Sequence, residues 1–230
     1  MTNSSAPQIV GVIFSTADFQ RAIRMRNPPD LFELRLDALV ADLSLVRRGI
    51  DKLPAPLIIT ARHPREGGIN QLSARHRRAL LDEFLSRAAY VDIELRSVRT
   101  SAAILRTARA KGVRTIISFH DFKGTPRGSK LNELARRAES LGGDLLKVAT
   151  RTDKPAQLRS LFDFFEAHRQ KTKLAAMGMG TLGRKARLWC ARHGSLLNYA
   201  HLGISRIDGQ LSVAQWRRAL KQTSVSCRLS

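Results

Sequence analysis

The sequence predicts an α/β fold, a single-domain (β/α)8 barrel. Short apolar runs rich in β-branched residues recur at regular intervals, amphipathic stretches lie between them, and the length of 230 residues suits eight such units. The predicted strands are Ile9–Phe14, Leu31–Leu36, Leu57–Thr60, Tyr90–Leu95, Thr115–Phe119, Asp144–Ala149, Lys173–Met177 and Leu196–Leu202.

Helical periodicity is clearest in three of the intervening stretches. Ser73–Ala88 places its large apolar residues on one face, and Pro155–His168 begins with a proline, which suits the first turn of a helix. The last helix is predicted at Ser212–Leu220, where Ser212 and Gln215 have the spacing of a capping box. Strands that alternate with helices in this way favour a parallel sheet.

An open, doubly wound sheet is the alternative architecture. No G-x-G-x-x-G motif follows the first predicted strand, which weakens a dinucleotide-binding interpretation. No linker rich in Pro, Gly or Ser divides the chain. We therefore expect one barrel domain over residues 1–230, with flexible tails at 1–8 and 222–230.

Composition narrows the class of protein. No apolar run approaches the roughly 18 residues that a membrane span requires, and the polar start of the chain does not resemble a signal peptide. The two cysteines, Cys190 and Cys227, indicate reduced thiols rather than a disulfide framework. A cytoplasmic location is expected.

The formal net charge of +21 arises from 40 Lys and Arg against 19 Asp and Glu, and 30 of the 40 are Arg. Such a charge attracts anions, including nucleic acids. The basic residues are spread along the whole chain, however, and no aromatic residues are interleaved with them as a stacking platform would need. A solvated, Arg-rich surface is the favoured interpretation, and nucleic-acid binding is not expected.

Ionisable residues interrupt five consecutive predicted strands or follow their ends. Charges inside barrel strands are costly unless they are paired, and chemistry in parallel barrels gathers at the carboxyl ends of the strands. We therefore expect one charged cavity at that end. The residues are Glu33, Arg35 and Asp37 in the second segment, Arg62 and Glu66 after the third, Asp92 and Glu94 in the fourth, His120 in the fifth and Lys147 in the sixth.

Lys147 is the most informative of these residues. It lies within Asp144–Ala149, where neighbouring positions are apolar. A purely structural interpretation pairs Lys147 with Glu94 or Asp92. The functional interpretation is an amine that attacks a ketone and forms an imine, or Schiff base.

His120 follows one strand earlier, at a strand end. A lone histidine there is more often structural, but an imidazole close to a buried lysine is suited to taking and giving a proton near neutral pH. Glu66, on the loop after the third strand, is in a position to fix the tautomer of His120. The remaining histidines are interpreted as surface or loop residues.

These segments, taken in order, resemble the type I 3-dehydroquinate dehydratases of the shikimate pathway. Each fragment alone is weak, but their joint order and spacing are specific. The matching segments are Glu33-Leu34-Arg35-Leu36-Asp37, Thr60-Ala61-Arg62, Glu66-Gly67-Gly68, Asp92-Ile93-Glu94-Leu95, Ser118-Phe119-His120-Asp121-Phe122, Leu146-Lys147-Val148-Ala149, Met179-Gly180-Thr181-Leu182-Gly183, Arg187, Gly194-Ser195 and Gly209-Gln210.

The resemblance implies a dehydration of 3-dehydroquinate to 3-dehydroshikimate without a metal or cofactor. Lys147 would form the imine, His120 would transfer protons, and Glu66 would orient His120. The substrate-binding residues it implies are Glu33, Arg35 and Arg62 for the ring hydroxyls, and Arg187 and Gln210 for the carboxylate. It also implies a homodimer.

Three departures from the family pattern concern substrate binding. Ala186 replaces the serine that usually precedes the binding arginine, and Val12 and Gly11 occupy the region of a first-strand serine. The last loop reads Arg206-Ile207-Asp208-Gly209-Gln210, so Arg206 replaces its serine. Either Arg206 supplies a second cation to the carboxylate, or the loop closes less well.

Two other functions are carried as alternatives. A class I aldolase would also use a strand lysine but usually binds phosphate, and no phosphate-binding loop is evident. The second alternative is a non-catalytic, nucleic-acid-binding barrel that exploits the positive charge.

Overall fold

Parallel strands alternate with helices around a central barrel in the computed structural model, which describes residues 6–226. The strands are β1 (Gln8–Ile13), β2 (Leu31–Arg35), β3 (Leu57–Thr60), β4 (Tyr90–Glu94), β5 (Arg114–Asp121), β6 (Leu145–Arg151), β7 (Leu174–Met179), β8 (Leu197–His201) and the two-residue β9 (Leu211–Ser212). The helices are α1 (Thr16–Ile23), α2 (Leu43–Gly49), α3 (Ala74–Phe84), α4 (Ala102–Ala110), α5 (Gly128–Ser140), α6 (Pro155–His168), α7 (Gly183–Arg192) and α8 (Val213–Ser226).

The strand order is that of a barrel. Hydrogen-bonded neighbours run β7-β6-β5-β4-β3-β2-β1-β8-β9, and every pairing is parallel. Between β7 and β8, the N–H of Leu196 donates to the carbonyl of Leu174 at 3.0 Å. The predicted (β/α)8, or TIM, barrel is confirmed, and the open-sheet alternative is not.

The predicted element boundaries agree closely with the structure. Helix α6 has the predicted limits, and the capping box of α8 is present: Ser212 N–H donates to Gln215 Oε1 at 2.8 Å and Gln215 N–H donates to Ser212 Oγ at 3.2 Å. The expected tails extended too far, because Gln8 pairs with Leu197 in the sheet and α8 continues to Ser226. Residues 1–5 and 227–230 lie outside the described residues.

Alternation along the strands separates two apolar layers. In β6, Leu146 and Val148 pack outward among the helices, whereas Leu145 and Ala149 face the barrel interior. Lys147 lies between these two inward positions, so it also faces the interior. The apolar side chains of the interior form a floor beneath the polar residues and leave the cavity at the carboxyl ends of the strands. That floor includes Val10, Leu31, Ile58, Tyr90, Ile116 and Leu197.

The structure bears on two expectations from composition, the absence of a membrane span and the reduced state of the two cysteines. Among the described residues, no helix is both long enough and apolar enough to span a membrane. Cys190 is a buried free thiol on α7, where it packs in the apolar layer. Cys227 lies outside the described residues.

Candidate active site

A cavity of about 360 Å³ opens at the carboxyl ends of the barrel strands. This volume lies within the range of small-molecule sites. All eight residues predicted for the site line it, although they come from four strands or the loops after them, from α7 and from the last loop. They are Glu33, Arg35, Arg62, Glu66, His120, Lys147, Arg187 and Gln210.

Lys147 is buried, with 3% of its surface exposed. Its Nζ donates to Asp92 Oδ2 at 3.0 Å and to Glu33 Oε1 at 3.2 Å, and lies 3.8 Å from the centroid of the Tyr199 ring. Asp92 is one of the two partners that a structural interpretation names. Lys147 nevertheless lines the cavity, so its amine combines ion pairing with access to a ligand.

Arg62 is the centre of the charged cluster. It donates to both carboxylate oxygens of Asp92, at 3.0 and 2.8 Å, to Glu94 Oε1 at 3.1 Å and to Ser118 Oγ at 2.8 Å. A further contact of 3.6 Å joins it to Glu33. Arg62 and Lys147 therefore face three carboxylates in the protein interior.

The cluster keeps its charges in spite of burial. Burial alone raises the pKa of Asp92, but the cations of Arg62 and Lys147 outweigh it and hold that pKa well below its ordinary value. Burial likewise opposes the charge of Arg62, yet Asp92 and Glu94 hold the pKa of Arg62 well above its ordinary value. Both terminal nitrogens of Arg62, Nη1 and Nη2, donate to protein groups, so its main effect is on the field and on the positions of its partners.

His120 and Glu66 form a second pair. Nδ1 of His120 lies 3.1 Å from Glu66 Oε2, and Arg96 Nε donates to the other oxygen, Oε1, at 2.8 Å. Burial, together with the nearby Arg62 and Lys147, lowers the pKa of His120 well below its ordinary value. The imidazole is therefore neutral at neutral pH and able to accept a proton.

The neighbouring Glu66 carboxyl also titrates in an unusual range. Burial, and then the charge of Glu94, raise the pKa of Glu66 to about 7, although Arg62, the backbone N–H of His120 and Arg96 act in the opposite direction. Its protonation state therefore changes within the pH range in which His120 would transfer protons. Two groups with pKa values displaced in opposite directions mark a candidate site for acid–base chemistry.

Arg187, on α7, is a buried cation, and among the described residues no carboxylate forms an ion pair with it. Nε of Arg187 has no hydrogen-bond partner, and Nη1 reaches only the carbonyl of Tyr199, at 3.5 Å. Burial lowers the pKa of Arg187 to about 10, so it remains charged at neutral pH. An uncompensated guanidinium beside the cavity is suited to binding an anion, and a carboxylate fits its planar donors best.

Sequence reasoning missed several of the cavity residues, and two of them are close in sequence. Tyr199 and His201 both lie on β8 and line the cavity. His201 was interpreted as a surface or loop residue; instead it is half-buried, with Nδ1 2.7 Å from the carbonyl oxygen of Gly203. In sequence, Tyr199 resembles an ordinary core residue of a buried strand. Only its contact with Lys147 across the barrel distinguishes Tyr199 from the core.

The three departures from the family pattern occupy different environments. Ala186 is fully buried and does not line the cavity. It packs against Gly178 so closely that a Cβ added to this glycine would lie 2.6 Å from the Cβ of Ala186. Val12 faces the cavity, whereas Gly11 packs on its far side. Arg206 lines the cavity mouth and stacks on Phe14, with Cζ 4.6 Å from the ring centroid.

Comparison with known proteins identifies the family of the chain. The sequence profile described as Type I 3-dehydroquinase matches residues 9–226. The chain belongs to the type I 3-dehydroquinase family. The family match supports a lyase and favours neither a class I aldolase nor a nucleic-acid-binding barrel.

Individual members of the family resemble the chain over most of its length. The 3-dehydroquinate dehydratase of Pyrococcus abyssi is 32% identical over 84% of this chain and 86% of its own. That of Thermococcus gammatolerans is 31% identical over 92% and 97%. The crystal structure of the Geobacillus kaustophilus 3-dehydroquinate dehydratase, 27% identical, superposes with a TM-score of 0.87 over 96% of this chain and 92% of its own.

Proposed function

We propose that the chain dehydrates 3-dehydroquinate to 3-dehydroshikimate and water through an imine on Lys147. The observation that carries this proposal is the placement of a buried amine, Lys147, beside the neutral imidazole of His120 in one cavity of a type I 3-dehydroquinase barrel. The strands that hold them, β6 and β5, are hydrogen-bonded neighbours.

In the first step, Nζ of Lys147 adds to the ketone carbon of the substrate. Before the attack, the amine passes one proton to Glu33, whose Oε1 lies 3.2 Å from this nitrogen, and Glu33 returns that proton to the hydroxyl that leaves as water. Asp92, at 3.0 Å, stays ionised beside the same nitrogen. Loss of water from the adduct gives a protonated imine. The same two carboxylates, which lie on the barrel wall, stabilise its positive charge.

In the second step, His120 removes a proton from the carbon next to the imine. The bond electrons move towards the imine nitrogen and form an enamine. The enamine then expels the hydroxyl at C1 as water, with His120 returning the proton to the leaving group. Hydrolysis of the imine releases 3-dehydroshikimate and regenerates the Lys147 amine.

Glu66 keeps His120 in the required orientation. With Glu66 ionised, the Nδ1 proton of His120 is donated to Oε2, which leaves Nε2 unprotonated and available as the base. The backbone N–H of His120 donates to the same oxygen at 2.9 Å. Two hydrogen bonds to one carboxylate restrict rotation of the imidazole.

The remaining lining residues bind the substrate. Arg187, a buried cation with no carboxylate partner among the described residues, binds the substrate carboxylate together with Gln210. Glu33 and Arg35, which line the same cavity, bind the ring hydroxyls in this proposal. Arg62 acts on the hydroxyls through the cluster, since its Nη1 and Nη2 already donate to protein groups.

Borohydride trapping tests the imine directly. The protein is incubated with 3-dehydroquinate and borohydride, and the mass of the reduced adduct is located by peptide mass spectrometry. We expect the adduct on Lys147 and its loss in Lys147→Met, whereas Lys130→Met, which changes an exposed lysine on α5, should behave as the parent protein. If the enone absorbance of the product forms but no adduct is trapped, the imine is contradicted. If neither the adduct nor the enone absorbance forms, the proposed function is contradicted.

A second measurement separates the role of His120 from that of Lys147. His120→Ala should slow turnover far more than it slows formation of the trapped adduct, because the proton transfer follows imine formation. Failure of imine formation in this variant would contradict the assignment of His120 to proton transfer.

Three properties of the working enzyme stay predictions. A reaction without a metal or cofactor follows from the imine mechanism. A cytoplasmic location is consistent with the buried thiol of Cys190. A homodimer is proposed from the family resemblance alone, and light scattering during size-exclusion chromatography measures it.

A further inference from the structure

Tyr199 is a buried aromatic residue to which the proposed chemistry assigns no task. Its exposure is 4%, and its hydroxyl has no hydrogen-bond partner among the described residues. Among the described residues, one other buried side-chain polar atom lacks a hydrogen-bond partner. It is Nε of Arg187, the proposed carboxylate ligand. Both groups belong to the same cavity.

The ring of Tyr199 covers one side of the Lys147 amine. Nζ of Lys147 lies 3.8 Å from the ring centroid, while Asp92 and Glu33 accept its hydrogen bonds at 3.0 and 3.2 Å. A cation over an aromatic face is attracted by the negative face of the ring, most strongly where water is excluded. The amine is therefore held by two carboxylates and one aromatic face.

The backbone of Tyr199 is itself fixed. Its carbonyl accepts a hydrogen bond from Nε1 of Trp216 at 3.3 Å, and Nη1 of Arg187 lies 3.5 Å from the same oxygen. Trp216 is almost fully buried in the layer between the barrel and α8. The ring therefore projects into the barrel interior from a rigid strand rather than from a loop.

We propose that Tyr199 is a positioning residue for the imine chemistry, whose aromatic face holds the Lys147 nitrogen in the orientation from which it adds to the ketone. This proposal rests on the proposed function of Lys147. The ring blocks one approach to the nitrogen, and the carboxylates occupy two more, so the remaining approach is from the cavity.

The same face suits the intermediate as well as the free lysine. The protonated imine carries a positive charge on or next to the same nitrogen, so the ring stabilises it in place of the ammonium. Burial, and then the charges of Glu33 and Asp92, raise the pKa of Tyr199 well above its ordinary value, so the ring remains the neutral phenol. The aromatic face, and not the hydroxyl, is the part that this task requires.

Three substitutions of Tyr199 and one matched control separate these parts. Tyr199→Phe keeps the ring and removes the hydroxyl, whereas Tyr199→Leu and Tyr199→Met remove the ring. The control is Tyr90→Leu, which removes another buried tyrosine ring of the barrel interior. That ring stacks on Arg114 at 3.9 Å and does not line the cavity.

The measurement is the rate constant of adduct formation with 3-dehydroquinate in single-turnover, borohydride-quenched samples, alongside KM and kcat. We expect Tyr199→Phe to form the adduct within about threefold of the parent rate, and Tyr199→Leu and Tyr199→Met to be slower by about tenfold or more. The loss should fall on adduct formation and kcat, with KM changed by less than about threefold, because the substrate ligands are untouched.

Each result decides the proposal. Adduct formation in both ring-deleted variants as fast as in Tyr90→Leu would overturn it, and so would an equal loss in Tyr199→Phe. If Tyr199→Leu fails to fold, as judged by circular dichroism, Tyr199→Met supplies the comparison because its flexible side chain fills irregular space. Absence of an adduct in the parent protein would instead contradict the proposed function.

Discussion

Nδ1 of His120 lies 3.1 Å from Oε2 of Glu66, and that oxygen also accepts the backbone N–H of His120 at 2.9 Å. One carboxylate thus fixes both the backbone and the ring of the proposed proton-transfer residue. The pKa of Glu66 is raised to about 7 by burial and the charge of Glu94. Its ionisation state near neutral pH decides which nitrogen of His120 is free.

The pair predicts how activity depends on pH. As pH rises through about 7, Glu66 ionises, Nδ1 of His120 becomes the donor, and the base at Nε2 becomes available, so kcat should rise. Glu66→Gln should remove this step and lower kcat by about 10- to 100-fold, because the imidazole is less well oriented. The test is kcat of both proteins between pH 5 and 9, and an unchanged step would assign it to another group.

The free energy of unfolding provides the control for this prediction. As pH rises, the contribution of Glu66 to that free energy should fall, whereas kcat should rise. A carboxyl whose pKa is higher in the folded protein than its ordinary value of 4.5 binds protons more tightly when folded. Its contribution to the free energy of unfolding therefore decreases as pH rises from about 4.5 to about 7. Glu66→Gln should be more stable relative to the parent at pH 8 than at pH 4.5 in urea unfolding, although it is the slower enzyme.

The sequence predicted the site wherever a charge broke the pattern of an apolar strand. Lys147 is a charge among apolar neighbours, and alternation alone turns it into the barrel. Its contact with Asp92 was also among the structural alternatives. Glu33 was not foreseen as its second partner, since β2 and β6 lie on opposite sides of the barrel and such contacts depend on side-chain reach rather than on strand order.

Other parts of the site carried no local signal. Tyr199 lies in an apolar strand where an aromatic residue is ordinary core, and the role proposed for it follows only from the position of Lys147 across the cavity. The saturation of Arg62 by carboxylates was equally hidden. Periodicity indicates which way a side chain faces, but the partners it meets depend on the register and curvature of the whole barrel.

Arg62 should be the stability-determining member of the charged cluster. Arg62→Met leaves Asp92, Glu94 and Glu33 without their shared cation, and breaking such a buried network costs about 3–5 kcal/mol. Arg47→Met, which breaks an exposed pair with Glu83, should leave the free energy of unfolding nearly unchanged, because water screens such a pair. Urea unfolding at pH 7 measures both, and similar losses in the two variants would contradict this account.

Arg187, in contrast to Arg62, should matter for substrate binding and not for the stability of the fold. Because it is buried without a carboxylate partner, Arg187→Met should unfold at a temperature no lower than the parent protein. The same change should raise KM for 3-dehydroquinate by about 30-fold or more, since a charge-assisted contact to the substrate carboxylate is lost. Calorimetric unfolding and steady-state kinetics test the two halves. Lower stability with unchanged KM would assign Arg187 to the scaffold.

Arg206 is the departure from the family pattern that reaches the cavity mouth. Its guanidinium lies 4.6 Å from the centroid of Phe14, a ring that also receives Arg35 at 4.8 Å, so the last loop is tied to the loop after β1. An exposed contact of this kind is worth about 0.5–1 kcal/mol. Arg206→Ser, which restores the residue type of the family, should therefore raise KM by about two- to fivefold if Arg206 holds the loop closed or contacts the carboxylate.

The source of the change in KM is then decided at Phe14. Phe14→Leu removes the ring but keeps the Arg206 cation, so a rise equal to that of Arg206→Ser indicates loop closure, whereas an unchanged KM indicates a direct contact with the carboxylate. Arg159→Ser, an exposed arginine on α6, controls for the loss of one positive charge from a strongly basic protein. A KM that is unchanged in Arg206→Ser excludes both roles, and leaves Arg187 as the cation to which the carboxylate binds.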